Sequence, residues 1–163
     1  MPSTAANGYP LLLHFAGRRA VVVGAGTVAT RRATALVAAG ADVTVIAPDR
    51  TEALAELALT WHRRPYADGD LAGAWLVHVA TDDPAVNAAV AAEAARRGIW
   101  CVRADDAAAS AAWVPAVVRS DDLVFAINAG GDPQRARAVR DAVQESLPAI
   151  LAAADAHAAG RVD

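Results

Sequence analysis

The run Ala20-Val21-Val22-Val23-Gly24-Ala25-Gly26-Thr27-Val28-Ala29 restricts this chain more than any other stretch. An apolar, β-branched strand feeds G-x-G-x-x-A and then an alanine-rich helix. In that pattern Gly24 permits the tight turn, Gly26 has no side chain to keep a pyrophosphate off the backbone, and Ala29 lets the helix approach the strand. Phosphates would sit at the positive end of the helix that begins near Thr27 and Val28. Glycine turns between strand and helix also occur without a nucleotide, so the context carries the reading: the motif follows a predicted strand and opens a predicted helix.

The remainder of the chain continues the alternation. Val28 to Ala39 reads as a helix closed by Gly40, and Val43 to Ala47 as a second strand, continuous and branched as buried parallel strands are. Thr51 to Ala58 predicts a short helix, Thr60 to Arg64 a third strand ended by Pro65, and Trp75 to Ala80 a fourth. Pro84 to Arg97 is a helix stopped by Gly98, and Ile99 to Val102 a fifth strand. This order predicts an α/β fold with a Rossmann-like, doubly wound parallel sheet. After Asp105-Asp106 and the loop Ala107 to Ala112 the pattern changes. Trp113 to Arg119 and Leu123 to Asn128 read as strands around the turn Ser120-Asp121-Asp122. Gly130-Gly131-Asp132-Pro133 then precedes a helix from Gln134 to Ser146, with arginines on one side, and Pro148 starts a last helix. A boundary near Pro115 divides 1–115, the nucleotide-binding domain, from 116–163, a strand-helix segment. Met1 to Asn7 reads as a disordered tail.

Several acidic residues follow strands, where open α/β sheets bind ligands. Asp49 lies a little over ~20 residues beyond the glycines, in the place of an acid that holds ribose hydroxyls; the other reading makes it the cap of the helix after it. A carboxylate there favours NAD over NADP, with Arg50 beside it as the reservation. Thr81 and Asp82 follow the fourth strand, and either Asp82 or Asp83 caps the next helix, with Pro84 in its first turn. His78, inside an apolar strand, reads as a packed core histidine, and Cys101 as a small buried hydrophobe.

Composition excludes other classes. The chain has 163 residues, a net charge of -3 and 55% hydrophobic residues. That length suits one domain with an appendage, and that charge argues against a nucleic-acid binder that works by neutralising phosphates. No uncharged apolar run approaches the ~20 residues of a spanning helix, and the N-terminus lacks a secretory pattern, so no membrane is expected and a cytoplasmic location is the default. One cysteine allows no intrachain disulfide. His14, His62, His78 and His157 show no metal-ligand pairing, and no protein-held metal is expected. Arg119, Arg135, Arg137 and Arg140 fall within one stretch and could form a local basic surface or simply a solvated face.

These residues together resemble the precorrin-2 dehydrogenases, which stand alone or form the N-terminal module of siroheme synthase. The matching pieces are Val22 to Ala29 with Arg31 and Arg32; Val45-Ile46-Ala47-Pro48-Asp49; Ala80-Thr81-Asp82-Asp83 with Asn87; Cys101 with Asp105; Pro115; and Gly130-Gly131 with Pro133, Arg137 and Arg140. They run from about Pro10 to Leu147, and the A-T-D-D-x-x-x-N piece is the most specific. The resemblance implies an NAD-dependent oxidoreductase that converts precorrin-2 to sirohydrochlorin, with ferrous-iron insertion in some members, and a homodimer built on the C-terminal strands and helix. It implies NAD contacts at Gly24, Gly26, Asp49, Thr81 and Asp82, an essential aspartate at Asp105, and arginine anchors for the tetrapyrrole carboxylates at Arg137 and Arg140, with Arg119 and Arg135 as further candidates. The residues alone also allow Asp105 to be a plain turn residue. The sequence departs from the family at Val102, Ala107 and Asn128-Ala129, and the family's helical domain is largely absent from this stretch. Two other functions therefore stay open: a relative that acts on another small substrate, and a non-catalytic dinucleotide-binding module.

Overall fold

The computed structural model describes residues 8–121 and 123–159, so the expected tail Met1 to Asn7 and the turn residue Asp122 lie outside the described residues. Contacts divide the chain into two units: Leu11–Trp113, and the described residues of Met1–Pro10 with Val114–Asp163.

In the first unit five strands form one sheet: β1 (Arg19–Val23), β2 (Asp42–Ile46), β3 (Thr60–His62), β4 (Leu76–Val79) and β5 (Trp100–Arg103). Their order is β3-β2-β1-β4-β5, and every pairing is parallel. The chain leaves β1 for β2 on one side and returns to pair β4 on the other. The point where the order reverses therefore lies between β1 and β4, where such sheets open a ligand crevice at the carboxyl ends of the strands.

Alternation along β1 explains why both faces are covered. Ala20 and Val22 pack with Ala29, Ala33 and Leu36 of α1 (Thr27–Ala38). Val21 and Val23 pack instead with Val90 and Ala94 of α3 (Pro84–Arg97). Side chains of period two serve two layers at once, which gives the doubly wound arrangement. Cys101 belongs to the α3-side core and His78 is buried in β4, as expected. Burial pushes the Cys101 thiol up and the His78 imidazole down to about 3, the latter helped by the charge of Arg32.

Helix ends follow their capping chemistry. Asp83 caps α3 through bonds donated by the amides of Ala85 (2.8 Å) and Val86 (3.4 Å), and Gly98 ends it in the left-handed conformation with φ +69°. The short helix after β2 differs from expectation. It is one turn, α2 (Glu52–Ala55), and its cap is Thr51, whose hydroxyl accepts from the amide of Leu54. Asp49 is therefore not the cap.

The second unit holds an antiparallel pair, β6 (Ala116–Ser120) and β7 (Leu123–Ile127), and one helix, α4 (Pro133–Ala159). Two expectations are corrected here. Strand β6 starts at Ala116, after Pro115, rather than at Trp113. Helix α4 runs through Pro148 without a break, because the alanine-rich residues beyond it favour helix strongly enough to carry a proline that removes one hydrogen bond. Ala136 and Leu147 are buried on α4, which packs against β6 and β7.

Candidate functional site

The first-unit crevice is built at the turn after β1. Gly24 has φ +105°, and a Cβ there would lie 2.3 Å from the carbonyl oxygen of Ala80, so β1 and β4 approach too closely for any side chain. Gly26 is different. Its φ is -71°, and a Cβ would meet nothing within 4 Å. The fold does not need glycine at 26; the open space in front of the backbone suits a pyrophosphate. Helix α1 begins at Thr27 with no side-chain cap and no acidic residue in its first turn, and Thr27 and Val28 are exposed. Backbone donors and a positive helix end thus face the opening, and Ala29 is fully buried beneath it. These features fit a dinucleotide.

Beside the turn lies an apolar pocket lined by Ile46, Ala47, Pro48, Tyr66, Thr81 and Val86. It lies at the ends of β2 and β4 and its walls are mostly apolar, as those of small-molecule sites are. Tyr66 is fixed from behind: its hydroxyl donates to Glu93, which is fully buried on α3 and also accepts from Arg97 Nε at 2.6 Å. Burial pushes the Glu93 carboxyl up, but the bonds from Tyr66, the Gly69 amide and Arg97 outweigh it and hold the group below its ordinary range. Burial and Glu93 together push the Tyr66 phenol well up. The sequence reading missed this cluster, although a glutamate in step with Val86 and Val90 on α3 was a visible signal.

At the end of β2, Asp49 is exposed, with Arg63 Nη2 3.6 Å from its carboxylate. Arg50 stands 4.3 Å from the ring centre of Trp61. At the end of β4, the hydroxyl of Thr81 donates to Asn87 Oδ1 (2.7 Å), while Asn87 Nδ2 donates to the Thr81 carbonyl (3.1 Å). Asn87 is buried, so this pair fixes the loop. Asp82 lies exposed on it, clear of the cap made by Asp83.

Asp105 follows β5 by two residues. The Ala104 amide still bonds the Val79 carbonyl (2.9 Å), so the chain stays paired with β4 up to the residue before Asp105. Arg103 grips the Asp105 carboxylate with Nε (3.1 Å) and Nη2 (2.7 Å). That pair, aided by Asn87 against a smaller desolvation cost, lowers the carboxyl to about 2. Arg103 was not singled out from sequence. Its signal was a charge at the end of an apolar strand, two residues before an acid and so on the same side of it. Asn87 thus fixes the Thr81 loop, while the Ala104–Val79 bond sets Asp105 beside the end of β4.

In the second unit, Arg119 lies exposed on β6, and Arg135 and Arg137 lie exposed near the start of α4. Arg140 is half-buried and pairs with Asp141, Nη2 to Oδ1 at 2.5 Å. The three α4 arginines do not share one side: Arg140 falls in line with the buried Ala136 and Leu147, whereas Arg135 and Arg137, two residues apart, lie about 200° apart around the helix. Among the described residues, no group of three or more His, Cys, Asp or Glu side chains could hold a metal ion. No described helix is long and apolar enough to cross a membrane.

A parallel sheet of order 3-2-1-4-5 with a glycine turn, an uncapped helix and an apolar pocket beside it at the switch point defines a dinucleotide-binding protein. Residues 11–116 match the family described as "putative NAD(P)-binding", and the chain belongs to it. The chain is 40% identical over 146 residues to the siroheme synthase of Chromobacterium violaceum, covering 86% of this chain and 31% of that relative. It is likewise 40% identical over 143 residues to the siroheme synthase of Ectopseudomonas mendocina, again 31% of the relative. The chain thus spans about a third of the length of these relatives. Among solved structures it resembles SirC, a precorrin-2 dehydrogenase, with a TM-score of 0.73 and 28% identity over 85% of this chain and 71% of that one.

Proposed function

We propose that this chain is an NAD-dependent dehydrogenase that oxidises precorrin-2 to sirohydrochlorin in siroheme biosynthesis. The observation that carries the reading is the place of Asp105, which follows β5 one residue after the Ala104 amide pairs with the Val79 carbonyl at the end of β4, and is held there by Arg103. The similarity to a precorrin-2 dehydrogenase and to siroheme synthases supports the choice of substrate.

In this reading Gly24 keeps the turn tight, Gly26, Thr27 and Val28 receive the pyrophosphate, Asp49 holds the ribose diol, and Thr81 and Asp82 border the cofactor. Bound there, the nicotinamide supplies a hydride acceptor. Dehydrogenation also releases a proton, and Asp105 is the acceptor. Its pairing with Arg103 keeps it ionised at neutral pH, yet a carboxylate held near 2 is a weak base. A carboxylate of the substrate that draws Arg103 away would return Asp105 toward the ordinary carboxylate range and make it a better one. Arg119, Arg135, Arg137 and Arg140 are the further anchors for an anionic tetrapyrrole, with Arg140 exchanging Asp141 for substrate.

The second unit serves dimerisation in this reading, with the functional division at 1–115 and 116–163. A two-stranded ribbon is marginal by itself, and Leu123 and Val124 of β7 are exposed, as is Val139 of α4. The experiment is an anaerobic assay of NAD reduction with precorrin-2, run with wild type and Asp105→Asn. Turnover by wild type and its loss in the variant support the reading, and undiminished turnover in the variant removes Asp105 from the chemistry. Sedimentation at micromolar concentration tests the dimer, and a monomer would remove that part.

A further inference from the structure

Asp49, at the ribose end of the crevice, does not stand alone. Trp61 on β3 donates its indole N–H to the carbonyl of Ala47 at 3.0 Å, which pins the ring against the last turn of chain after β2. Two guanidinium groups gather on that ring: Arg50 at 4.3 Å from its centre and Arg63 at 5.7 Å. Arg63 also reaches Asp49 at 3.6 Å.

A carboxylate after β2 normally rejects a cofactor carrying a 2'-phosphate, because two anions would meet at the ribose. That repulsion is offset here. The Asp49 charge is already faced by Arg63, and Arg50 is adjacent. The Asp49–Arg63 pair is highly solvent-exposed, with side-chain exposures of 89% and 72%, and its separation exceeds that of a close hydrogen bond. Such a pair is weak, so a phosphate can recruit Arg63 without breaking a strong contact. Stacking on an anchored indole restricts both arginines before any ligand arrives, and a planar guanidinium suits phosphate oxygens. We propose that Arg50 and Arg63, mounted on Trp61, form a subsite for a ribose 2'-phosphate, so that this chain binds NADP as well as NAD. The inference rests on the crevice being the dinucleotide site.

The test is equilibrium titration of the full chain with NAD and with NADP, followed by tryptophan fluorescence, for wild type, Arg50→Gln and the Arg50→Gln/Arg63→Gln double variant. Wild type binds NADP within about tenfold of NAD, and the double variant lowers the NADP-to-NAD affinity ratio by about tenfold or more, with Arg50→Gln between the two. Raising salt weakens NADP more than NAD in wild type and not in the double variant. Both arginines are exposed, and NAD binding by the variants reports that the site is folded. Wild-type NADP affinity more than about tenfold below that for NAD, or a ratio unchanged in the double variant, overturns the inference while the NAD site stands. Failure of both dinucleotides to bind wild type overturns the inference and the site reading together.

Discussion

Arg103 holds Asp105 with two hydrogen bonds across one strand end, 3.1 Å from Nε to Oδ1 and 2.7 Å from Nη2 to Oδ2. The pair makes Asp105 an anion and at the same time a reluctant base. Replacing Arg103 by Gln will raise the Asp105 pKa from about 2 toward the ordinary carboxylate value of 3.8, measured by carboxyl carbon NMR. Because the folded-state pKa is depressed, the pair contributes stability above about pH 4 that fades as pH falls toward 2. The variant will lose that part of the acid dependence. An unmoved pKa would show that Arg103 does not control the group.

Gly24 and Gly26 predict opposite phenotypes from the same substitution. Gly24→Ala sets a Cβ against the Ala80 carbonyl at a positive φ and will cost roughly 2–4 kcal/mol in denaturant unfolding. Gly26→Ala meets open space and will change stability by no more than about 1 kcal/mol. Its methyl occupies the volume in front of the helix start, so dinucleotide affinity will fall by about tenfold or more. Equal loss of stability in both variants would contradict this division.

His78 is a buried histidine kept neutral, with its pKa lowered to about 3 by burial and Arg32. Between that value and about 6.5 the unfolded chain binds more protons than the folded one, so stability falls as pH drops through this window. The linkage amounts to about 2 kcal/mol by pH 5. Thermal unfolding of His78→Leu between pH 7 and pH 4.5 will therefore show a flatter profile than wild type. Parallel profiles would mean that another group sets the acid dependence.

Tyr66 and Glu93 join the apolar pocket beside the glycine turn to the α3 core. Tyr66→Phe removes one donor from a fully buried carboxylate and will cost about 1–3 kcal/mol. Glu93→Ala leaves Arg97 and the Tyr66 hydroxyl without their acceptor and will cost about 3 kcal/mol or more. The double variant will cost less than the sum, measured by chemical denaturation, because both changes break one network. Strict additivity would show that the groups do not share it.

The sheet was legible because its signals are local and repeated. Branched runs such as Val43-Thr44-Val45-Ile46, glycine stops at Gly40 and Gly98, and Pro84 after an acidic pair each report on a few neighbouring residues, and strand alternating with helix leaves few topologies. The weaker boundaries failed where two local rules competed. Pro148 reads as a helix start, yet alanines on its far side let α4 continue. Thr51 and Asp49 are both capping residues, and the backbone turn gave the role to Thr51.

By itself, the sequence determined the glycine turn, the alternation that makes both sheet faces apolar, and the acids that end three strands, since each depends on residues close together in the chain. Only the tertiary structure decided which of these groups meet: Asn87 with Thr81, Tyr66 with Glu93, Arg63 with Asp49, and Ala80 above Gly24. Those partners are brought together by parallel strand pairing and by a helix packed across the sheet, and a parallel crossover separates residues in sequence that it places side by side in space. The cofactor turn and the Arg103–Asp105 pair are thus written in neighbouring residues, while the pocket beside the turn depends on how β2, β4 and α3 come together.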